Sequence, residues 1–331
     1  MKITQFVRLS LGICCALFFI WLIARQIDLS ELAGALRNTN PIWIFSALAA
    51  FCCGYLCRIA RWRKMLLQDN PLLSFKNCAG PLLASFAINN VLPFRSGDVM
   101  RAFAFNRQLG TSSGIVIASL FVERLLDLLM VLLLLGSALV LFRLDFERFA
   151  GVGSVVLIVI SLLIVLVLLF PRLFSPLVLI LNRILIKLSP EFGNKVAKEI
   201  NKAMNSLIHL SKKGTMLILV LWSAIAWLAE GAVFWCVAMA LQPALETPAA
   251  GWLALPVGTL ATLIPSTPGY IGTFDYFTIK AMTALGNPTT IATAYALLVH
   301  ILLWLPPTLT GGLYLFALNI QKSRSKKLYD Q

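Results

Sequence analysis

Charge is what this sequence has least of. Only 13% of its 331 residues are charged, and 14 of them are acidic. A soluble domain of this length would carry about a quarter of its residues as charges. Histidine is nearly missing, with His209 and His300 the two in the chain. So few imidazoles and acids leave no metal site and no cofactor to expect. No HExxH run and no Walker A run occurs, so any transport is passive, ion-coupled or driven by a partner. The seven cysteines form no CxxC pair. Most sit inside apolar runs as small packing residues, without a disulfide framework.

What the chain does have is hydrophobic length. It is 59% hydrophobic with a mean hydropathy of +0.86. The expected fold class is an all-α polytopic membrane protein, a helical bundle forming one integral membrane domain over 1–331. The net charge of +14 is spread over many short loops. That pattern fits cytoplasmic loops facing anionic headgroups and excludes nucleic acid as a partner.

Apolar runs predict spans over about 5–24, 41–60, 113–142, 151–170, 215–241 and 289–319. The first follows Lys2 and Arg8 and reads as a retained helix, not a cleaved leader. Residues 25–40 read as a polar loop, with a helix start near Asn40-Pro41. Arg58, Arg61, Arg63 and Lys64, interleaved with Trp62, read as an interface anchor at a cytoplasmic end. Residues 172–213 read as a basic amphipathic segment on an anionic cytoplasmic surface. An N-terminus inside places 58–64, 172–213 and the tail at 322–327 in the cytoplasm. The expected location is the inner cell membrane, multi-pass, with both termini cytoplasmic.

Two polar breaks interrupt apolar sequence. The first contains Asn89, Asn90, Pro93, Arg95, Gly97, Asp98 and then Arg101; the second contains Pro265, Pro268, Gly269, Gly272 and Asp275. Lipid cannot bond a backbone, so a helix breaks at membrane depth only beside protein or a water-filled cavity. The breaks predict two oppositely oriented re-entrant hairpins, over about 72–107 and 249–285, in an inverted-repeat-like arrangement. Pro93, Gly97, Pro265, Pro268, Gly269 and Gly272 are the expected hinge and loop residues.

Ionisable residues near apolar sequence each cost about 2.5–3.5 kcal/mol at the bilayer centre and need a cavity or a partner. Arg95 or Arg101 can clamp a phosphate, or close a turn with Asp98. Glu123 and Asp127 share a helix face beside Arg124. They can pair with Arg95 and Arg101, or carry protons. Glu230 stands alone in a span. Amides exposed near Asp275 can hold an anion, or form a bare turn. With Asn89 and Asn90, these are the candidate substrate-binding residues.

The ordered set resembles the lysylphosphatidylglycerol synthase transmembrane region family. The resemblance rests on Asn89-x-x-x-Pro93-x-x-x-Gly97-Asp98 with Arg101, on Glu123-Arg124-x-x-Asp127, and on Pro265-x-x-Pro268-Gly269-x-x-Gly272. Arg61-Trp62 also fits. It departs where the family often has Glu for Asp98 and glycine for Tyr270. It implies a stand-alone lipid or glycolipid flippase module, without the aminoacyl-transferase domain that the synthases add. The expected function is a non-enzymatic transporter binding a phosphate-bearing headgroup in a polar groove. The expected partners are membrane lipids, either anionic phospholipid or polyprenyl-phosphate-linked lipid. An accessory subunit of a lipid-modifying enzyme or glycosyltransferase is the alternative, and a lipid-processing enzyme a third.

Overall fold

A computed structural model describes residues 29–92, 95–144, 154–242, 244–264 and 268–329. The span expected at 5–24 and the hinges Pro93 and Pro265 lie outside them. Every regular element among the described residues is helical. They are α1 (Leu29–Arg37), α2 (Pro41–Leu66), α3 (Phe75–Val91), α4 (Ser96–Phe103), α5 (Asn106–Leu109), α6 (Ser113–Leu141), α7 (Ser154–Leu169), α8 (Ser175–Leu188), α9 (Pro190–Leu210), α10 (Lys213–Ala240), α11 (Gly251–Ala261), α12 (Thr273–Thr283) and α13 (Thr289–Tyr329).

Among the described residues, four stretches are long and apolar enough to cross a membrane: Pro41–Leu66, Ser113–Leu141, Gly214–Ala240 and Thr289–Ile320. Val155–Leu169 with Pro171–Leu188 would make a fifth, but the pair bends by 94° at Pro171. A proline cannot donate into the preceding turn, so the helix stops there. Two expectations need correcting. Part of the segment read as a polar loop at 25–40 is helix α1. Arg61 and Trp62, read as an interface anchor, are enclosed, at 1% and 0% exposure. Their side chains have partners inside the protein, a stronger pull than the interface.

The chain divides into two compact units. The first comprises Met1–Gly54, Gly80–Asp98 and Leu228–Gln331. In it α11 and α12 pack as a hairpin, α12 packs on α13, and α13 packs on α1. Asn40 starts α2 as expected, its Oδ1 accepting the Ile42 N–H at 3.0 Å. Asn287 closes the base of the hairpin: its Oδ1 accepts the Thr247 N–H at 3.0 Å and its Nδ2 donates to the Thr247 carbonyl at 3.1 Å.

The second unit comprises Tyr55–Ala79 and Val99–Trp227. Here α6 packs on α7 and α9, and α8 packs on α9. Glu199 of α9 caps the start of α6, accepting the Gly114 N–H at 2.7 Å. The segments flanking 72–107 are tied together too. Asn70 Nδ2 donates to the Leu109 carbonyl at 2.9 Å, and Asp69 accepts the Ser112 N–H at 3.2 Å. α8 exposes Leu177, Ile180, Leu181, Ile184 and Leu188, an apolar face left by the 94° turn.

Candidate functional site

In the first unit the residues of the first break interlock. Asn89 Oδ1 accepts the Gly97 N–H at 2.8 Å, and its Nδ2 donates to Asp98 Oδ1 at 3.1 Å. Ser85 Oγ donates to the same oxygen at 3.3 Å. One asparagine therefore holds both ends of the break, using its donor and its acceptor together. Gly97 is required by contact: a Cβ there would meet the Ser85 carbonyl oxygen at 1.9 Å. Arg95 is half-buried with φ 50°, and its carbonyl accepts the Asp98 N–H at 2.9 Å.

The second break turns through left-handed backbone at Gly269 (φ 72°), Tyr270 (φ 61°) and Gly272 (φ 83°). Asp275, 5% exposed, accepts the Gly272 N–H at 2.8 Å. Among the amides near this break, that one is occupied by the carboxylate and not open to an anion. The other oxygen of Asp275 lies 2.7 Å from His300 Nδ1, and His300 Nε2 lies 3.0 Å from the Gly269 carbonyl.

Helix α13 joins the two breaks along one face. One turn beyond His300, Trp304 Nε1 donates to the Asn90 carbonyl at 3.3 Å. Asn90 Nδ2 donates to Thr308 Oγ1 at 2.8 Å and to the Trp304 carbonyl at 3.2 Å. A Cβ at Gly269 would lie 2.7 Å from Trp304 Nε1 and 3.3 Å from the Asn90 carbonyl. The breaks, far apart in sequence, meet here. Glu230 is half-buried on α10 in this unit.

The second unit holds a different cluster. Ser119, Glu123 and Asp127 recur every four residues and form one buried stripe on α6. Trp62 Nε1 donates to Ser119 Oγ at 3.0 Å. Arg101, wholly buried, donates from Nη2 to Glu123 Oε1 at 3.1 Å and lies 4.9 Å over the Trp62 ring. Arg61 grips Asp127 with both terminal nitrogens, at 2.7 and 3.3 Å. Its Nη1 also donates to Ser223 Oγ at 2.8 Å, and Trp227 Nε1 donates to Asp127 Oδ1 at 3.1 Å.

Arg58 and Arg124, both half-buried, flank this cluster. Arg124 comes within 3.9 Å of Glu123, and Arg58 stacks 5.3 Å from the Trp227 ring centre. The guanidinium groups of Arg58, Arg61, Arg101 and Arg124 thus gather around the carboxylates of Glu123 and Asp127.

Residues 6–311 match the lysylphosphatidylglycerol synthase TM region. The chain belongs to that family. Among curated proteins similar to it are two UPF0104 membrane proteins of Methanocaldococcus jannaschii. One is 23% identical over 93% of this chain and 94% of its own length. The other is 24% identical over 73% of this chain and 99% of its own length. The glycosyltransferase AglD of Haloferax volcanii is 31% identical over 42% of this chain, covering 22% of its own length.

The family motifs thus fall into two groups. Asn89, Gly97, Asp98 and the Gly269–Gly272 turn lie in the first unit. Arg101, Glu123, Arg124 and Asp127 lie in the second, with Arg61-Trp62. Sequence reasoning missed Arg61, Ser119, Ser223 and Trp227 as site neighbours, and it missed His300, Trp304 and Thr308. His300 carried a usable signal, an ionisable group within a predicted span. Gly110-Thr111-Ser112-Ser113-Gly114 has the G-x-S-x-G spacing of a hydrolase nucleophile. It lies at the start of α6, not between a strand and a helix, and Ser112 Oγ has no hydrogen-bond partner among the described residues.

Proposed function

We propose that this protein is a lipid or glycolipid transporter of the flippase type, moving an amphiphile with a phosphate-bearing headgroup. The observation that carries the reading is the meeting of the two breaks at Trp304. Each belongs to a segment whose flanks are bonded together, at Asn70–Leu109 and at Thr247–Asn287. Segments that leave and return to one point, with polar tips in contact, suit re-entrant hairpins entering from opposite faces. That arrangement puts a site near the midplane. The clustering of guanidinium groups around Glu123 and Asp127 supports a phosphate as the headgroup, with Arg101 and Arg124 as its candidate ligands. Glu123 and Asp127 balance the guanidinium charges while the headgroup is absent.

The test is transport in proteoliposomes holding fluorescent phospholipid or polyprenyl-phosphate probes. The wild type should move one probe class. Arg124→Gln, a change on a half-exposed side chain, should slow it by about tenfold, the worth of one charged hydrogen bond. Arg101→Lys, which keeps a positive charge beside Glu123 but loses the guanidinium fork, and Asp98→Asn should abolish it. Wild-type rates in those two would remove the site assignment. Failure of a folded wild type to move any probe would refute transport.

A second reading has one observation in its favour: AglD, a glycosyltransferase, carries a segment similar to this chain. An accessory subunit of such an enzyme would engage it through the basic α8–α9 surface. Charge reversal at Lys195 and Lys198 would then matter more than loss of Arg101.

A further inference from the structure

His300 and Asp275 are enclosed at the second break, with side-chain exposures of 13% and 8%. The hydrogen-bond arithmetic around the ring is restrictive. Nε2 lies 3.0 Å from the Gly269 carbonyl, which only accepts, so Nε2 carries a hydrogen. Nδ1 lies 2.7 Å from Asp275 Oδ1. A bare imidazole lone pair and a bare carboxylate oxygen repel at that distance, so a second proton lies between them. It belongs either to an imidazolium or to a carboxylic acid, and in both cases the pair is neutral overall. Asp275 Oδ2 meanwhile accepts the Gly272 N–H.

Removing that second proton leaves one ring N–H facing two acceptors. Charged acceptors form the stronger hydrogen bonds, so the remaining N–H stays with Asp275 and the Gly269 carbonyl is released. Gly269, Tyr270 and Gly272 all hold left-handed backbone, the conformation such a tie maintains.

Among the described residues, no titrating group other than Asp275 is hydrogen-bonded to the ring. Phe274 of α12 meets it edge-on at 5.3 Å. Lys280, farther along α12, lies over the Tyr276 ring. Asn90, uncharged, approaches one turn away at Trp304. Arg37 of α1, which also packs on α13, bonds neither His300 nor Asp275 in the described structure.

We infer that His300 and Asp275 form a proton-binding site whose occupancy ties the second break to α13. The role of that proton as the coupling ion rests on the transporter reading above. A nucleophile-activating role is disfavoured by the geometry, because Gly269 occupies the nitrogen that a general base would turn toward its substrate.

The chain has two histidines, so His209→Gln leaves His300 alone for selective 15N labelling. The full-length protein in lipid nanodiscs would be followed over about pH 5 to 9, the range in which imidazoles titrate. At the acid end both ring nitrogens should be bonded. With rising pH one should acquire a free lone pair. Hydrogen exchange over 269–276, corrected for its intrinsic pH dependence, should rise about tenfold in step, as for loss of one charged hydrogen bond. Asp275→Asn supplies an amide that donates to Nδ1, so this variant should keep both nitrogens bonded and show no step.

A wild-type ring without a step, or a step unaccompanied by exchange, would overturn the site. So would an identical step in Asp275→Asn. In proteoliposomes, wild-type transport should respond to an imposed pH gradient and Asp275→Asn transport should not. Equal responses would overturn coupling alone. Absence of wild-type transport would count against the proposed function and leave the ring measurement to decide the proton site.

Discussion

Arg61 and Asp127 depend on each other for burial. Two charges withdrawn from water are tolerated because the bonds between them are bidentate and each gains a further bond, Arg61 to Ser223 and Asp127 from Trp227, with Arg61 Nε left unbonded among the described residues. Arg61→Met should cost about 3–5 kcal/mol, since it strands a buried carboxylate. Arg61→Met combined with Asp127→Leu should recover much of that loss. A double-mutant cycle on thermal unfolding in detergent measures this, and additive losses would show that the pair is not coupled. At the first break the limit is space. Gly97→Ala places a methyl against the Ser85 backbone, and overpacking of this kind costs about 1–3 kcal/mol. The variant should unfold at lower temperature, while Gly34→Ala, which has nothing within 4 Å, should not.

At the scale of elements, caps made by neighbouring helices decide where spans begin. Glu199 reaches from α9 to the first turn of α6, where unpaired amides and the helix dipole favour a carboxylate. The Lys202 hydrogen bond and then the Gly114 amide hold its carboxyl below the usual glutamate range. A depressed folded-state value means the contribution is present above the unfolded value and fades as pH falls through the folded one. Glu199→Gln should therefore be less stable than wild type at neutral pH, with the gap closing in acid. Thermal melts of both proteins across that range check the sign, and a gap that widens in acid would contradict it. The 94° turn at Pro171 belongs to this scale too. It changes an all-apolar helix into α8, whose leucines face outward beside Arg183 and Lys187. That face suits the headgroup boundary of a bilayer.

For the whole molecule, the two hairpins set the expected topology. If they enter from opposite faces, Leu72 and Glu246 lie on opposite sides of the membrane. Single cysteines at these positions, in a background cleared of native cysteines, should react with an impermeant maleimide from the cytoplasmic and outer sides respectively. Reaction from the same side would exclude opposed entry.

Composition and hydropathy alone determined the membrane class, the helical content and most ends of the described apolar spans, because lipid forces backbone polar groups to pair within the segment. Pro171 and Asn40 marked their boundaries through local chemistry that needs no tertiary contact. The motif order also sufficed for the family. The sequence did not determine which charges meet. Arg61 looked like an interface residue because its neighbours are basic, and only the packing of α6 against it supplies Asp127. His300 lay twenty-five residues from Asp275, beyond the reach of any local pattern. The tertiary structure alone decided these partnerships, because a buried charge takes its state from what folding brings beside it.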